Sequence, residues 1–80
     1  MNEQFDDVNK PAHYNKGKLE CIEAIEALLS QITDPVDGFY AAQVVKYVWR
    51  FEHKEDPVKD LKKAAWYLSR LIRRWENEAE

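Results

Sequence analysis

Eighty residues make one small domain, and a core of that size buries only about 60% of the surface its unfolded chain exposes. A single cysteine excludes an internal disulfide, and one cysteine with two distant histidines is too few for a structural zinc, which leaves self-association as the common remedy for a thin core. Twelve basic residues against 15 acidic ones, net charge -3, argue against general nucleic-acid binding but allow a local cationic site, and no apolar run is long enough to suggest a membrane span.

Residues 1–12 are polar and aperiodic and read as a flexible arm, with Phe5 and Val8 as its anchors. Met1 to Lys10 has no apolar segment of the signal-peptide kind. With the free cysteine, this predicts a cytoplasmic protein. The first helix is expected at about 19–31. Cys21, Ile22, Ile25, Leu28, Leu29 and Ile32 recur at threes and fours, and Glu20, Glu23 and Glu26 fall off that stripe. Glu20 and Glu23 lie near the positive end of the helix dipole, where carboxylates are favoured.

The next two helices open alike. TDPVDG and EDPVKD each place Asp before Pro before Val, an N-cap followed by a residue suited to the first helical position. The second helix is expected at about 36–52. Tyr40, Val44, Tyr47, Val48 and Phe51 form one stripe, and Val45 with Trp49 forms another. A helix apolar on two sides is either central or part of a subunit interface. Gly38 either permits a close approach or delays the regular helix to Phe39. The third helix is expected at about 57–77, with Val58, Leu61, Ala65, Leu68, Ile72 and Trp75 as its core stripe. Lys62, Trp66, Arg70 and Arg73 lie off that stripe, and Lys59, Lys63, Tyr67 and Arg74 add further charge and a ring. No stretch alternates with period two. The expected fold is all-α: one domain over 1–80, a compact bundle of three helices assembled into a homo-oligomer.

The chain lacks a P-loop, a GxGxxG, a serine nucleophile elbow and an HExxH. Four features remain. His13, Tyr14, Lys16 and Gly17 precede the first helix, where helix formation does not require them. They either cap and pack, or form an anion-binding lip with the helix N-terminus. Lys46, Trp49 and Arg50 share one region of the second helix, as a solvated basic strip or a phosphate clamp. Lys62, Trp66, Arg70 and Arg73 make an exposed cationic face on the third helix, and Trp66, Tyr67 and Arg70, with Val45, are the candidate oligomer interface. Glu20, Glu23 and Glu26 make a solvated face more readily than a Mg²⁺ site, since no second acidic pair has matching spacing. No catalytic residue and no metal ligand is assigned.

HYNKGKLECIEAI, KYVWRFEHKED and DLKKAAWYLSRLI, in that order, resemble a family of small phage domains of unknown function with the pattern HYxxGxxExIxxI, KYLWRxxxK, DLxKAxWYL. The resemblance covers about residues 11–72. It places family positions on His13, Tyr14, Gly17, Glu20, Lys46, Tyr47, Trp49, Arg50, Asp60, Leu61, Lys63, Ala64, Trp66 and Tyr67. One member is similar to a phage nucleotide kinase that lacks a Walker motif. The chain departs from the family after Arg50, where Phe51-Glu52-His53-Lys54 replaces the small residue and glycine common there. The resemblance therefore implies a nucleotide-binding protein of the infected bacterial cytoplasm. The expected function is capture of an anionic nucleotide, or of a nucleotide-derived immune signal, in a cationic and aromatic pocket. Two alternatives stand beside it: a nucleoside monophosphate kinase using Mg²⁺, and a helical module that inhibits a host protein.

Overall fold

The computed structural model describes residues 19–79, with side chains described for 19–77. The arm at 1–12 and His13, Tyr14, Lys16 and Gly17 lie outside the described residues. Three α-helices follow in order: α1 (Cys21–Leu29), α2 (Pro35–Arg50) and α3 (Pro57–Ala79), with a short 3-10 turn at Phe51–His53 joining the last two. Among the described residues there is no strand, and no helix is long and apolar enough to cross a membrane.

Each helix start has a local cause. Glu20 is extended at the head of α1, and its N–H donates to Glu23 Oε1 at 2.8 Å, which closes a reciprocal capping box. These two glutamates are therefore part of the helix start. Asp34 caps α2 by accepting from the N–H groups of Val36 at 2.8 Å and Asp37 at 3.1 Å, with Pro35 in the first position. Asp56 accepts from the Lys59 N–H at 3.0 Å at the head of α3.

Helix α2 is central: among the described elements α1 packs on α2 alone, and α3 packs on α2 and on the turn that follows it. Gly38 is buried inside α2 with ordinary helical φ. A Cβ at Gly38 would stand 3.2 Å from Leu29 Cδ2 and 3.9 Å from Ile32 Cγ2, so the glycine serves close approach of α1.

Between α2 and α3 the contact is aromatic and ionic. Arg74 donates from Nε to Asp37 Oδ1 at 2.7 Å and from Nη2 to Asp34 Oδ1 at 3.2 Å. The Trp75 indole N–H donates to Asp37 Oδ2 at 3.2 Å. The residues of α3 turned to α2 are Asp60, Ala64, Tyr67, Leu71 and Arg74, all buried or half-buried and spaced four, three, four, three. The expected core stripe of α3 is not there. Its large members, Val58, Leu61, Leu68, Ile72 and Trp75, are 40–60% exposed, and Ala65 is exposed as well. That stripe lies roughly 100° round the helix from the packed one. The packed stripe won because its two ends are held by ion pairs and its alanine admits α2 closely. Among the described residues the buried apolar side chains are Ala41 and Ala64.

The Asp34 carboxyl sits below its ordinary pKa, chiefly because the Asp37 N–H donates to it, with Val36 N–H and the Arg74 charge assisting against partial desolvation. A lowered folded pKa adds stability above the unfolded value, near pH 4, and that stability is lost as pH falls through the folded value. Thermal melts taken downward from about pH 5 should therefore show a falling Tm. The fall should be shallower in Asp34→Asn, which keeps an oxygen to cap the helix but carries no charge. An equally steep fall in both chains would remove Asp34 from the acid response.

Candidate functional site

On the edge where α2 meets α3, three cations converge on one ring. Lys46 Nζ lies 5.1 Å from the centroid of Tyr47, the Arg50 guanidinium carbon 4.8 Å and Lys63 Nζ 5.4 Å. Helix geometry brings them together: Lys46 flanks Tyr47 in sequence, Arg50 lies three residues on, about one turn along the helix, and Lys63 reaches across from α3. Tyr67 stacks on Tyr47 with centroids 6.0 Å apart and planes at 10°. Behind Tyr67 stand Tyr40 at 6.3 Å, Phe39 at 6.0 Å and Trp66 at 5.0 Å. Arg70 adds a fourth cation, 5.9 Å from the Tyr40 centroid and 5.5 Å from that of Trp66. The result is a ladder of rings edged with positive charge. Beside it an open groove of about 500 Å³ is lined by Asp56, Val58, Lys59, Lys62, Lys63 and Trp66.

Asp60 anchors Arg50 from behind. Asp60 is 5% exposed, and its carboxylate accepts from Arg50 Nη2 at 3.4 Å. Asp60 Oδ2 and Arg50 Nε are buried and have no hydrogen-bond partner among the described residues. The pair is therefore held by one long contact, and Arg50 keeps donors to spare.

The start of α1 comes close to this edge. Burial pushes the Cys21 thiol up in pKa, Glu20 adds to the rise, and the charge of Lys46 opposes it. The first turn of α1, at Cys21, therefore lies near Lys46. The Glu20–Glu23 capping box occupies donors at that helix end, so the positive character of the edge comes from side chains more than from the helix terminus.

The structure thus joins Lys46 and Arg50, both singled out in the sequence, at one ring. Trp49 is partly exposed and lies two residues on from Tyr47, roughly 200° round α2 and away from the ladder. Val45 and Tyr67 are half-buried, and Tyr67 is the hub of the rings. Trp66 and Arg70 are exposed on the outer rung. Tyr47, Asp60 and Lys63 are positions of the resembled family, but the residue pattern alone marks Tyr47 as a stripe position and Lys63 as surface charge. The signal for Tyr47 lay in KYVWR itself, where a ring stands between two cations one helical turn apart.

Among the described residues, no group of three or more His, Cys, Asp or Glu side chains could hold a metal ion. A family model described only as a protein of unknown function matches residues 8–69 of the chain. No curated protein and no solved structure gives a significant match.

Proposed function

The chain belongs to that family, DUF3310, and from this premise and the geometry around Tyr47 we propose that it binds an anionic nucleotide and holds it intact. The observation that carries the reading is the convergence of Lys46, Arg50 and Lys63 within 5.4 Å of one ring centroid, in a chain whose net charge is -3. Asp60 balances one of these charges, so the edge keeps a net positive charge that favours a bound phosphate. The exposed ring of Trp66 on the same edge offers a face on which a base can stack, with Arg70 beside it. The protein acts as a homo-oligomer in the bacterial cytoplasm during infection, and its ligand is a nucleotide or a nucleotide-derived signal.

A second reading, phosphoryl transfer to a nucleoside monophosphate, draws on Asp60. A buried carboxylate with one unpartnered oxygen beside an arginine is a candidate base or positioning group. The test mixes the chain with mono-, tri- and cyclic nucleotides and Mg²⁺, filters it by size, and heat-denatures what is retained. The expected result is release of an unchanged nucleotide at a fixed ratio to protein. A new phosphorylated species in the filtrate would replace the first reading with the second. Neither retention nor conversion would remove both.

A further inference from the structure

The longest ordered apolar feature of this protein is on its outside. Val58, Leu61, Ala65, Leu68, Ile72 and Trp75 are spaced three, four, three, four, three along α3, and all are exposed. That spacing is the seam of a two-stranded coiled coil, in which one helix needs another of similar length against it. The seam covers 18 residues of a helix 23 residues long, about 26 Å at 1.5 Å per residue. At its far end Leu68, Leu71, Ile72 and Trp75 line a shallow apolar trough. The packed stripe of α3, Asp60 to Arg74, is already filled by α2, so among the described residues the helix carries two seams with one partner present.

We propose that the outer seam is covered by α3 of a second copy of this chain, running antiparallel. The proposal gives a definite surface to the homo-oligomer of the proposed function, and it does not depend on what the ligand is. Three observations choose the occupant. First, the seam needs a long, regularly spaced apolar partner, and α3 itself is one. The chain before residue 19 supplies scattered apolar residues without such a period, and it joins α1, which does not pack on α3. Second, the seam's polar border is self-complementary. Lys62, Ser69 and Glu76 run along that border at seven-residue intervals. In an antiparallel pair these positions face their counterparts, so Lys62 meets Glu76 of the second copy and Ser69 meets Ser69. In a parallel pair they would face the opposite border, where Ala64 and Leu71 stand. Third, the chain's own burial is meagre: among the described residues no large side chain is fully buried. Pairing through the seam leaves Lys46, Arg50 and Lys63 uncovered, while Val58 and Lys62 of the adjoining groove belong to the seam and its border.

The experiment is sedimentation velocity on the full chain at 5 to 100 μM (order-of-magnitude range around interface affinities of this class), with four variants. The wild type should sediment at twice the chain mass. Leu68→Glu changes a side chain exposed in the single chain, so it should give a folded monomer. Lys62→Glu and Glu76→Lys should each raise the dimer dissociation constant at least about tenfold, since both copies carry the change and two like-charge contacts form. The two together should restore it. A monomeric wild type overturns the seam and the homo-oligomer alike. An oligomer whose mass is unchanged by Leu68→Glu overturns the seam and leaves the oligomer standing. If Leu68→Glu does not fold, the charge swap decides: singles that weaken without rescue by the double overturn the antiparallel pairing.

Discussion

Tyr67→Ala should lower the stability of the chain by about 3 kcal/mol, more than any other single truncation on the α2–α3 contact. The ring touches Tyr47, Tyr40, Phe39 and Trp66 at once, with centroids 5.0–6.3 Å away. Truncation removes a half-buried ring and four ring pairs together, and Asp60–Arg50 and Asp37–Arg74 fix the ends of the helix pair, which limits how far the gap can close. A domain this size has a total stability of roughly 4–12 kcal/mol, so the loss is a large share of the whole. Tyr67→Phe keeps the ring and should stay within about 0.5 kcal/mol of the parent. Urea unfolding followed by tryptophan fluorescence measures both. A Tyr67→Ala chain within about 1 kcal/mol of the parent would mean that the ring ladder is not the main bond between the helices.

Arg50→Ala should weaken nucleotide binding by roughly 10- to 100-fold, the loss of one or two charge-assisted hydrogen bonds to phosphate. Lys46→Ala and Lys63→Ala should each cost about tenfold, since an ammonium offers a point charge where guanidinium offers a planar fork. Arg50→Lys separates charge from shape: it should fall between the parent and Arg50→Ala. It also keeps a cation opposite the buried Asp60 and so protects the fold. Lys54→Ala, beyond the 3-10 turn, should leave affinity unchanged. Titration calorimetry at two salt concentrations checks the series, because the exposed cation contributions should shrink as salt rises. Equal affinities for Arg50→Ala and the parent would move the site away from Tyr47.

What could be read in the sequence was local. Asp34-Pro35 and Asp56-Pro57 start helices because a cap needs only its own next three residues. The all-α class followed from period and from the lack of alternation. The choice between the two stripes of α3 could not be read this way. Val58 to Trp75 is the cleaner apolar pattern, whereas the packed stripe has an aspartate at one end and an arginine at the other. Apolar period finds the most apolar face, and it cannot say whether that face meets the same chain or another. The packed face was hidden because its ends are joined by pairs far apart in sequence: Arg50 with Asp60, and Arg74 with Asp34 and Asp37. The candidate site was half legible for the same reason. Lys46 and Arg50 stand out on one helix, but Lys63 joins them only once α3 folds back on α2.

Helix α1 is nine residues long and rests on one neighbour, with no buried residue of its own. A nine-residue helix is too short to persist alone in water, so it exists only while docked. It therefore forms the weakest cooperative unit among the described helices, able to lift away while α2 and α3 stay paired. Cys21 rides on it. Docked, its thiol is partly buried with a raised pKa and is a poor nucleophile; lifted, it is an ordinary solvated thiol. The chain thus carries its own reporter: a thiol reagent consumes Cys21 faster whenever α1 departs from Gly38, so any change that loosens α1 raises the rate of reaction in the native protein.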